Sequence, residues 1–333
     1  MKIAVIGAGS WGTAVANLIA TNGNNVSLWA RRGEVARVIN TEHKNPDYLS
    51  NWPLHNDVVA TTSLHDALNR AHAAVIVTPS KLMRGTARAM REMISEDFPI
   101  VILSKGVEDV TGLLPVEVFE DELGNKDRLA ALCGPTHAEE VIHGVPSATV
   151  VVSSNAETAE LFRDVFASDS FRVYTSTDVN GVELCAAFKN VIAIATGISY
   201  GLGYGDNTAA MIMTRGLAEM GRLVVKAGGD SMTCLGLAGA GDLIVTCTSQ
   251  HSRNRRFGEG LAKGQTVEEF ESQTHMIAEG ALACKTLRVL ADRFEVELPI
   301  ADAVYSIVWN GVSASDVAQT LISRSLKPEF YGM

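Results

Sequence analysis

Short apolar runs recur through the first half of the chain: KIAVIG from Lys2, NVSLWA from Asn25, DVVATT from Asp57, AAVIVTP from Ala73, PIVILS from Pro99, LAALCG from Leu129, ATVVVSS from Ala148 and FRVYTS from Phe171. Most are separated by stretches whose apolar residues return every three or four positions, as in Leu82–Ile94 and Thr158–Phe166. Strand-length runs alternating with helix-period segments predict βαβ units and a mostly parallel sheet covered on both faces. Thr41–Asp57, interrupted by Pro46 and Pro53, predicts a loop or an irregular helical excursion.

After Thr177 the pattern changes. Strand-like runs nearly vanish, and helical spacing takes over in Val182–Ile198, Thr208–Ala227, Asn254–Lys263, Val267–Glu271, Ala281–Phe294, Ile300–Trp309 and Ser315–Ser323. The expectation is an α/β chain of two domains. Residues 1–177 form a doubly wound, mostly parallel sheet, and residues 178–333 form an all-helical domain for substrate binding and catalysis. No linker separates them, and no solenoid repeat or low-complexity tract appears.

Two local features add chemistry. The first is GAGSWG, with Gly7, Gly9 and Gly12 directly after the first strand and at a helix start. The first glycine allows the tight turn, the second a close approach of backbone to a pyrophosphate, and the third helix-on-strand packing. The helix N-terminus then offers free N–H groups and a positive dipole end. With a second strand at the right distance, this is a Rossmann-type dinucleotide site rather than a glycine-rich turn of another α/β fold. Where that second strand ends, a site for NAD commonly carries an acidic residue for the ribose. Arg31 and Arg32 stand there instead, and arginine suits a 2′-phosphate. The reading leans to NADPH/NADP over NADH/NAD, against the alternative of two solvated surface arginines.

The second is a lysine inside an apolar helix, ELCAAFKNVIAIATGI. One turn from Lys189 lie Cys185, Ala186, Ile192 and Ala193, none able to pair with an ammonium. Such a lysine must snorkel, find a distant partner, or run at a lowered pKa. A nicotinamide enzyme that reduces a ketone needs an acid near the carbonyl oxygen, which makes Lys189 a candidate. Lys105, just past the strand in VILSKG, is another, because ligands lie at the C-terminal ends of strands in open α/β sheets. Its plainer reading is a surface loop lysine.

Further on, GLAGAGDLIVTCTSQHSRNRRFGEG places Asp242 after a glycine cluster that no strand precedes, either as a helix cap or as a buried carboxylate aimed at a lysine. Ser252, Arg253 and Asn254 read as a helix start, either an anion site with an arginine beside it or a capped exposed turn.

Composition narrows the classes. A net charge of −10 argues against general affinity for nucleic acid or anionic lipid. The cysteines are Cys133, Cys185, Cys234, Cys247 and Cys284; they are scattered and lack a CxxC, as buried thiols of a reducing compartment are. His137 and His143 belong to no metal-ligand spacing, and no metal is expected. The glycines and polar residues of the N-terminal segment break the apolar core a signal peptide needs. No run reads as long and apolar enough to span a bilayer. The expectation is a cytoplasmic protein without stable membrane insertion.

Taken together, IAVIGAGSWGTAVA, LSKGVE, GPTHAEEV, ELCAAFKNVIAIATGISYGLGYGDNTAA, GLAGAGDLIVTCTSQHSRNRRFG and AEG resemble, in order and spacing, the bacterial NAD(P)-dependent glycerol-3-phosphate dehydrogenases over Lys2–Leu321. The resemblance implies reversible reduction of dihydroxyacetone phosphate to sn-glycerol 3-phosphate for glycerophospholipid synthesis. It implies that Lys189 is the proton donor or acceptor, that Asp242 binds substrate near it, and that Lys105 contacts cofactor and substrate. By the same resemblance Gly134, Thr136 and Asn190 belong to the substrate site, and Ser252, Arg253 and Asn254 to the substrate phosphate. Ser10, Trp11, Arg31, Arg32, Ala138, Arg253, Ile277 and Glu279 fall on cofactor positions. Thr136 stands where serine is frequent, and both carry a hydroxyl. The family varies in its use of NADH and NADPH, which leaves that choice open. A homodimer is expected. The rivals are a lysine-using dehydrogenase for 3-hydroxy acids or 6-phosphogluconate, and a regulatory protein that binds NAD(P)H without turnover.

Overall fold

The computed structural model describes residues 1–274, 279–325 and 328–329. The chain divides into two compact units. The first comprises Met1–Lys105 and Pro115–Val179; the second comprises Gly106–Leu114 and the chain from Asn180 onward.

The first unit is built on one sheet. In chain order it contains β1 (Lys2–Ile6), α1 (Ser10–Thr21), β2 (Asn25–Trp29), α2 (Gly33–Glu42), β3 (Val58–Thr61), α3 (Leu64–Leu68), β4 (Ala73–Ile76), α4 (Met83–Met90) and β5 (Ile100–Ile102). It continues with α5 (Pro115–Leu123), β6 (Leu129–Cys133), α6 (Ala138–Ile142), β7 (Ser147–Val152), α7 (Ala156–Phe166) and β8 (Phe171–Ser176). All eight apolar runs are strands, in the order β3-β2-β1-β4-β5-β6-β7-β8. Neighbours pair in parallel except β6 with β7, where Ala131 faces Val152 in antiparallel register. The central strands β1, β4, β5 and β6 are nearly continuous Val, Ile, Ala and Leu because both sheet faces are covered there, whereas the edge strands β3 and β8 alternate buried and exposed residues. Val5, Leu28, Val75 and Val101 share one core with Ile19 of α1 and Phe162 and Phe166 of α7. Both phenylalanines are fully buried, so truncating either to Ala costs about 3–5 kcal/mol. The chain runs outward from β1 to β3 and then returns to β4 on the other side, which puts the switch point of the sheet between β1 and β4.

The second unit holds α8 (Val179–Gly201), α9 (Asp206–Lys226), a wide π-type turn (Leu237–Gly241), α10 (Asp242–Thr248), α11 (Arg253–Leu261), α12 (Val267–Thr274), α13 (Glu279–Phe294), α14 (Pro299–Asn310) and α15 (Ala314–Ile322). Helical spacing does not predict α10, which is only seven residues long and follows the glycine cluster directly. Pro299 opens α14 at the position where its missing N–H costs nothing, and Gly311 ends it at φ +65°.

α8 corrects one expectation. At 23 residues with a mean hydropathy of 1.4, it is long and apolar enough to cross a bilayer by length and composition. Its apolar window is 94% buried within the fold, so the surface that makes it look like a span is covered by its own neighbours. α8 and α11 cross in backbone contact. A Cβ on Gly258 would lie 2.2 Å from the Ile194 carbonyl oxygen, and one on Gly197 would lie 2.0 Å from that of Arg255. Only glycine fits at either position.

Candidate active site

In the first unit, β1 ends in a turn that a side chain would destroy. Gly7 adopts φ +125°, and a Cβ there would lie 2.7 Å from the Val77 carbonyl oxygen at the end of β4. A Cβ on Gly12 would lie 1.8 Å from the Gly7 oxygen, so helix and strand touch at the switch point. Gly9 differs, since a Cβ there would meet no protein atom within 4 Å. That open space lies at the start of α1, whose first turn carries no side-chain cap. Unblocked N–H groups at Ser10 and Trp11 beside an open glycine fit a dinucleotide pyrophosphate.

Asn45, which no sequence motif singles out, braces this turn. Its amide donates to the Ala8 carbonyl at 3.0 Å and to the Thr13 hydroxyl at 2.7 Å, while its oxygen accepts from Asp47 N and Tyr48 N at 3.0 and 3.2 Å. The Thr41–Asp57 segment is thereby tied to the glycine turn, a long-range contact that local pattern does not carry.

Past β2, Arg31 and Arg32 are both exposed, and Arg32 forms an ion pair with Asp47. An anion reaching Arg32 competes with that carboxylate, whereas Arg31 has no ion pair among the described residues. Ser10 donates to Glu139 at 3.5 Å, next to Ala138 at the first turn of α6. Beyond β5 and β6 the unit brings together Lys105, Gly134 and Thr136. Lys105 Nζ donates to the Gly134 carbonyl at 3.4 Å, and the Thr136 hydroxyl donates to the same oxygen at 3.2 Å. Gly134, at φ +153°, has no room for a side chain, since a Cβ would lie 2.8 Å from the Thr149 hydroxyl oxygen.

In the second unit, Lys189 has its distant partner. Nζ bonds to Asp242 Oδ1 and donates to the Thr246 hydroxyl at 3.0 Å. Lys189 is 6% exposed and Asp242 2%. The carboxylate and the hydroxyl give the Lys189 amine the polar partners that the apolar wall of α8 lacks. No sequence motif singles out Thr246. It lies one helical turn after Asp242 on the same face of α10 and donates to the Asp242 carbonyl, so the i,i+4 spacing is the signal that points to it. Asn190, next to Lys189, accepts from the Asn254 amide at 2.9 Å, and Asn254 in turn accepts from Gly280 N at 3.1 Å. These bonds join α8, α11 and α13 beside the lysine.

Ser252 is the N-cap of α11, its hydroxyl accepting from Arg255 N at 3.3 Å, and it is buried. Arg253 is exposed at the helix start. Ile277 lies outside the described residues; Glu279 begins α13, but its side chain is likewise outside them. Burial pushes the Cys247 thiol up to about 12 and Cys284 still further, so neither is a thiolate nucleophile. Among the described residues, no group of three or more His, Cys, Asp or Glu is placed to hold a metal ion.

Comparison with known proteins adds an independent line. Residues 2–159 match the family model for the NAD-dependent glycerol-3-phosphate dehydrogenase N-terminus, and residues 178–319 match that for its C-terminus. Glycerol-3-phosphate dehydrogenase [NAD(P)+] of Corynebacterium aurimucosum is 46% identical over 330 residues, covering 98% of this chain and 99% of the relative. That of Chlorobium luteolum is 44% identical over 331 residues, covering 99% of each. The solved glycerol-3-phosphate dehydrogenase of Coxiella burnetii superposes with a TM-score of 0.92 at 36% identity, over 97% of this chain and 99% of that one.

Proposed function

Since this chain belongs to the NAD-dependent glycerol-3-phosphate dehydrogenase family and is an NAD(P)-dependent oxidoreductase of that kind, we propose that it reduces dihydroxyacetone phosphate to sn-glycerol 3-phosphate with Lys189 as the proton donor. The observation that carries this reading is the buried Lys189 ammonium held between Asp242 and Thr246. The bound nicotinamide supplies the hydride. Lys189 polarises the ketone oxygen and gives its proton to the forming alkoxide. In the reverse direction the neutral amine takes the proton back. Asp242 keeps the lysine charged and, with Thr246, fixes where Nζ points. Asn190 and Asn254, already bonded to one another, position substrate oxygen atoms. Arg253 and the helix start at Ser252–Asn254 receive the phosphate, and holding that end orients the ketone for attack.

In the first unit, Gly7, Gly9, Ser10, Trp11 and Gly12 hold the pyrophosphate, with Ala138 also at the cofactor; Ile277 and Glu279 are assigned to it by family resemblance alone. Lys105, with Gly134 and Thr136, contacts both cofactor and substrate. Arg31 and Arg32 favour NADPH, with Asp47 lowering the contribution of Arg32. Residues 1–177 serve as the cofactor domain and 178–333 as the substrate and catalytic domain. The product feeds glycerophospholipid synthesis in the cytoplasm, and the working form is a homodimer. The test is oxidation of NADPH and NADH in parallel with dihydroxyacetone phosphate as acceptor. Turnover with both, higher kcat/KM with NADPH, is expected. Absence of turnover with either would overturn the assignment, and a preference for NADH would overturn the role of Arg31.

A further inference from the structure

We propose that Arg255 is the positioning residue of the phosphate site: it does not touch the substrate but locks the helix start that does. The inference rests on the reading that Ser252–Asn254 receive the phosphate.

Three arginines lie in SRNRRF, and they are placed differently. Arg253 and Arg256 are exposed, whereas the Arg255 side chain is 19% exposed and turned into the unit. Its Nη1 donates to the Thr248 carbonyl, the last residue of α10. Its Nε donates to Glu259 Oε1 at 3.0 Å, one turn along α11. The face of the guanidinium lies 4.7 Å from the centre of the Tyr200 ring, near the end of α8. The backbone of the same residue is equally engaged, its N–H on the Ser252 hydroxyl and its carbonyl against Gly197 of α8, where a Cβ would come within 2.0 Å.

Arg255 therefore sits where three helices meet: α8 carries Lys189 and Asn190, α10 carries Asp242 and Thr246, and α11 begins with Ser252–Asn254. A guanidinium is suited to this because its donors point in fixed directions in one plane while its face stacks on an aromatic ring. The cation at the C-terminal end of α10 also lies where the helix dipole favours it. The four-residue span between Thr248 and Arg253 is thereby closed by a bond across it, which fixes the direction in which the first N–H groups of α11 and the Arg253 side chain point. Lysine, a point charge on a flexible stem, cannot hold the carbonyl, the carboxylate and the ring together.

Without Arg255 the phosphate grip loosens while the proton donor stays in place. In Arg255→Ala, KM for dihydroxyacetone phosphate should rise ~10–100-fold with kcat changed only a few-fold. The kcat/KM for dihydroxyacetone, the same ketone without phosphate, should stay within about two-fold of the parent. Arg255→Lys, which retains charge and most of the bulk, should show nearly the same rise, and Tyr200→Ala a smaller one. A purely structural role would depress both substrates alike and would be rescued by lysine. Equal losses on the two substrates, full rescue in Arg255→Lys, or an unchanged KM for the phosphorylated ketone would each overturn the proposal. Arg253→Ala separates the two layers. If it raises the KM for dihydroxyacetone phosphate while Arg255→Ala does not, the phosphate reading stands and the positioning role falls. If Arg253→Ala leaves that KM unchanged, the phosphate assignment itself falls, and the proposal with it.

Discussion

Two buried carboxylates with cationic partners, Glu122 in the first unit and Asp242 in the second, are built in opposite ways. Glu122 is reached by Arg84 at 3.0 Å, Arg88 at 2.8 Å and Arg91 at 2.9 Å. Hydrogen bonds from Arg88 and Arg84 hold its carboxyl down at about 2. The three guanidiniums reach solvent, at 24%, 67% and 50% side-chain exposure, so only the carboxylate is dry. At Asp242 the cation is buried as well, with side-chain exposures of 3% for Asp242 and 7% for Lys189. A guanidinium does not release its proton near neutrality, so the Glu122 cluster can only hold helices together. An ammonium can, and burying it against Asp242 and Thr246 of one short helix makes proton transfer possible at a fixed point. Burial of a charge does not mark a site on its own; burial of a transferable proton does.

That contrast can be broken most severely at Asp242. In Asp242→Ala an ammonium is left in an apolar wall, and stability should fall by about 3–5 kcal/mol with kcat down at least ~100-fold, read by chemical denaturation and steady-state assay. The double variant Lys189→Met/Asp242→Leu should recover stability to within about 2 kcal/mol of the parent, because a buried pair replaced by apolar groups is often neutral, yet remain inactive. Loss of stability equal to the single variant would mean that the pair holds the fold.

A third buried carboxylate sharpens the comparison. Glu219 accepts from Ile300 N at the start of α14, and burial pushes its carboxyl up to about 8. The native chain then keeps a proton that the unfolded chain releases above about 4.5. Its contribution is complete below that pH and is lost as pH rises to 8, by up to about 1.4 kcal/mol per pH unit. Glu219→Gln should flatten this part of the stability–pH curve; an unchanged slope would contradict the assignment. The smallest effect is expected at Glu122→Gln. Activity should be unchanged, and the parent's advantage in stability, present above about 4.5, should fade as pH falls toward 2.

Much of this was legible in the chain. The strands stand out because a sheet covered on both faces demands continuous Val and Ile, and the glycine turn because sterics at Gly7 and Gly12 leave no substitute. The environment of Lys189 was legible as apolar and Asp242 as a candidate carboxylate for a lysine, with a helix cap as the alternative; the direct bond between them, and Thr246 beside it, come only from the tertiary contact of α10 with α8. The assignment of Gly106–Leu114 to the second unit, the bracing by Asn45 and the convergence on Arg255 are likewise tertiary contacts between distant segments. The length of α8 misled in the other direction: composition cannot tell a helix covered by protein from one covered by lipid.

The central claim is that the Lys189 proton is the one transferred. Lys189→Met keeps length and apolar bulk while removing that proton. Single-turnover oxidation of bound NADPH by saturating dihydroxyacetone phosphate should slow at least ~100-fold, with the Kd for NADPH within about two-fold of the parent. A transfer rate near that of the parent protein would contradict the account.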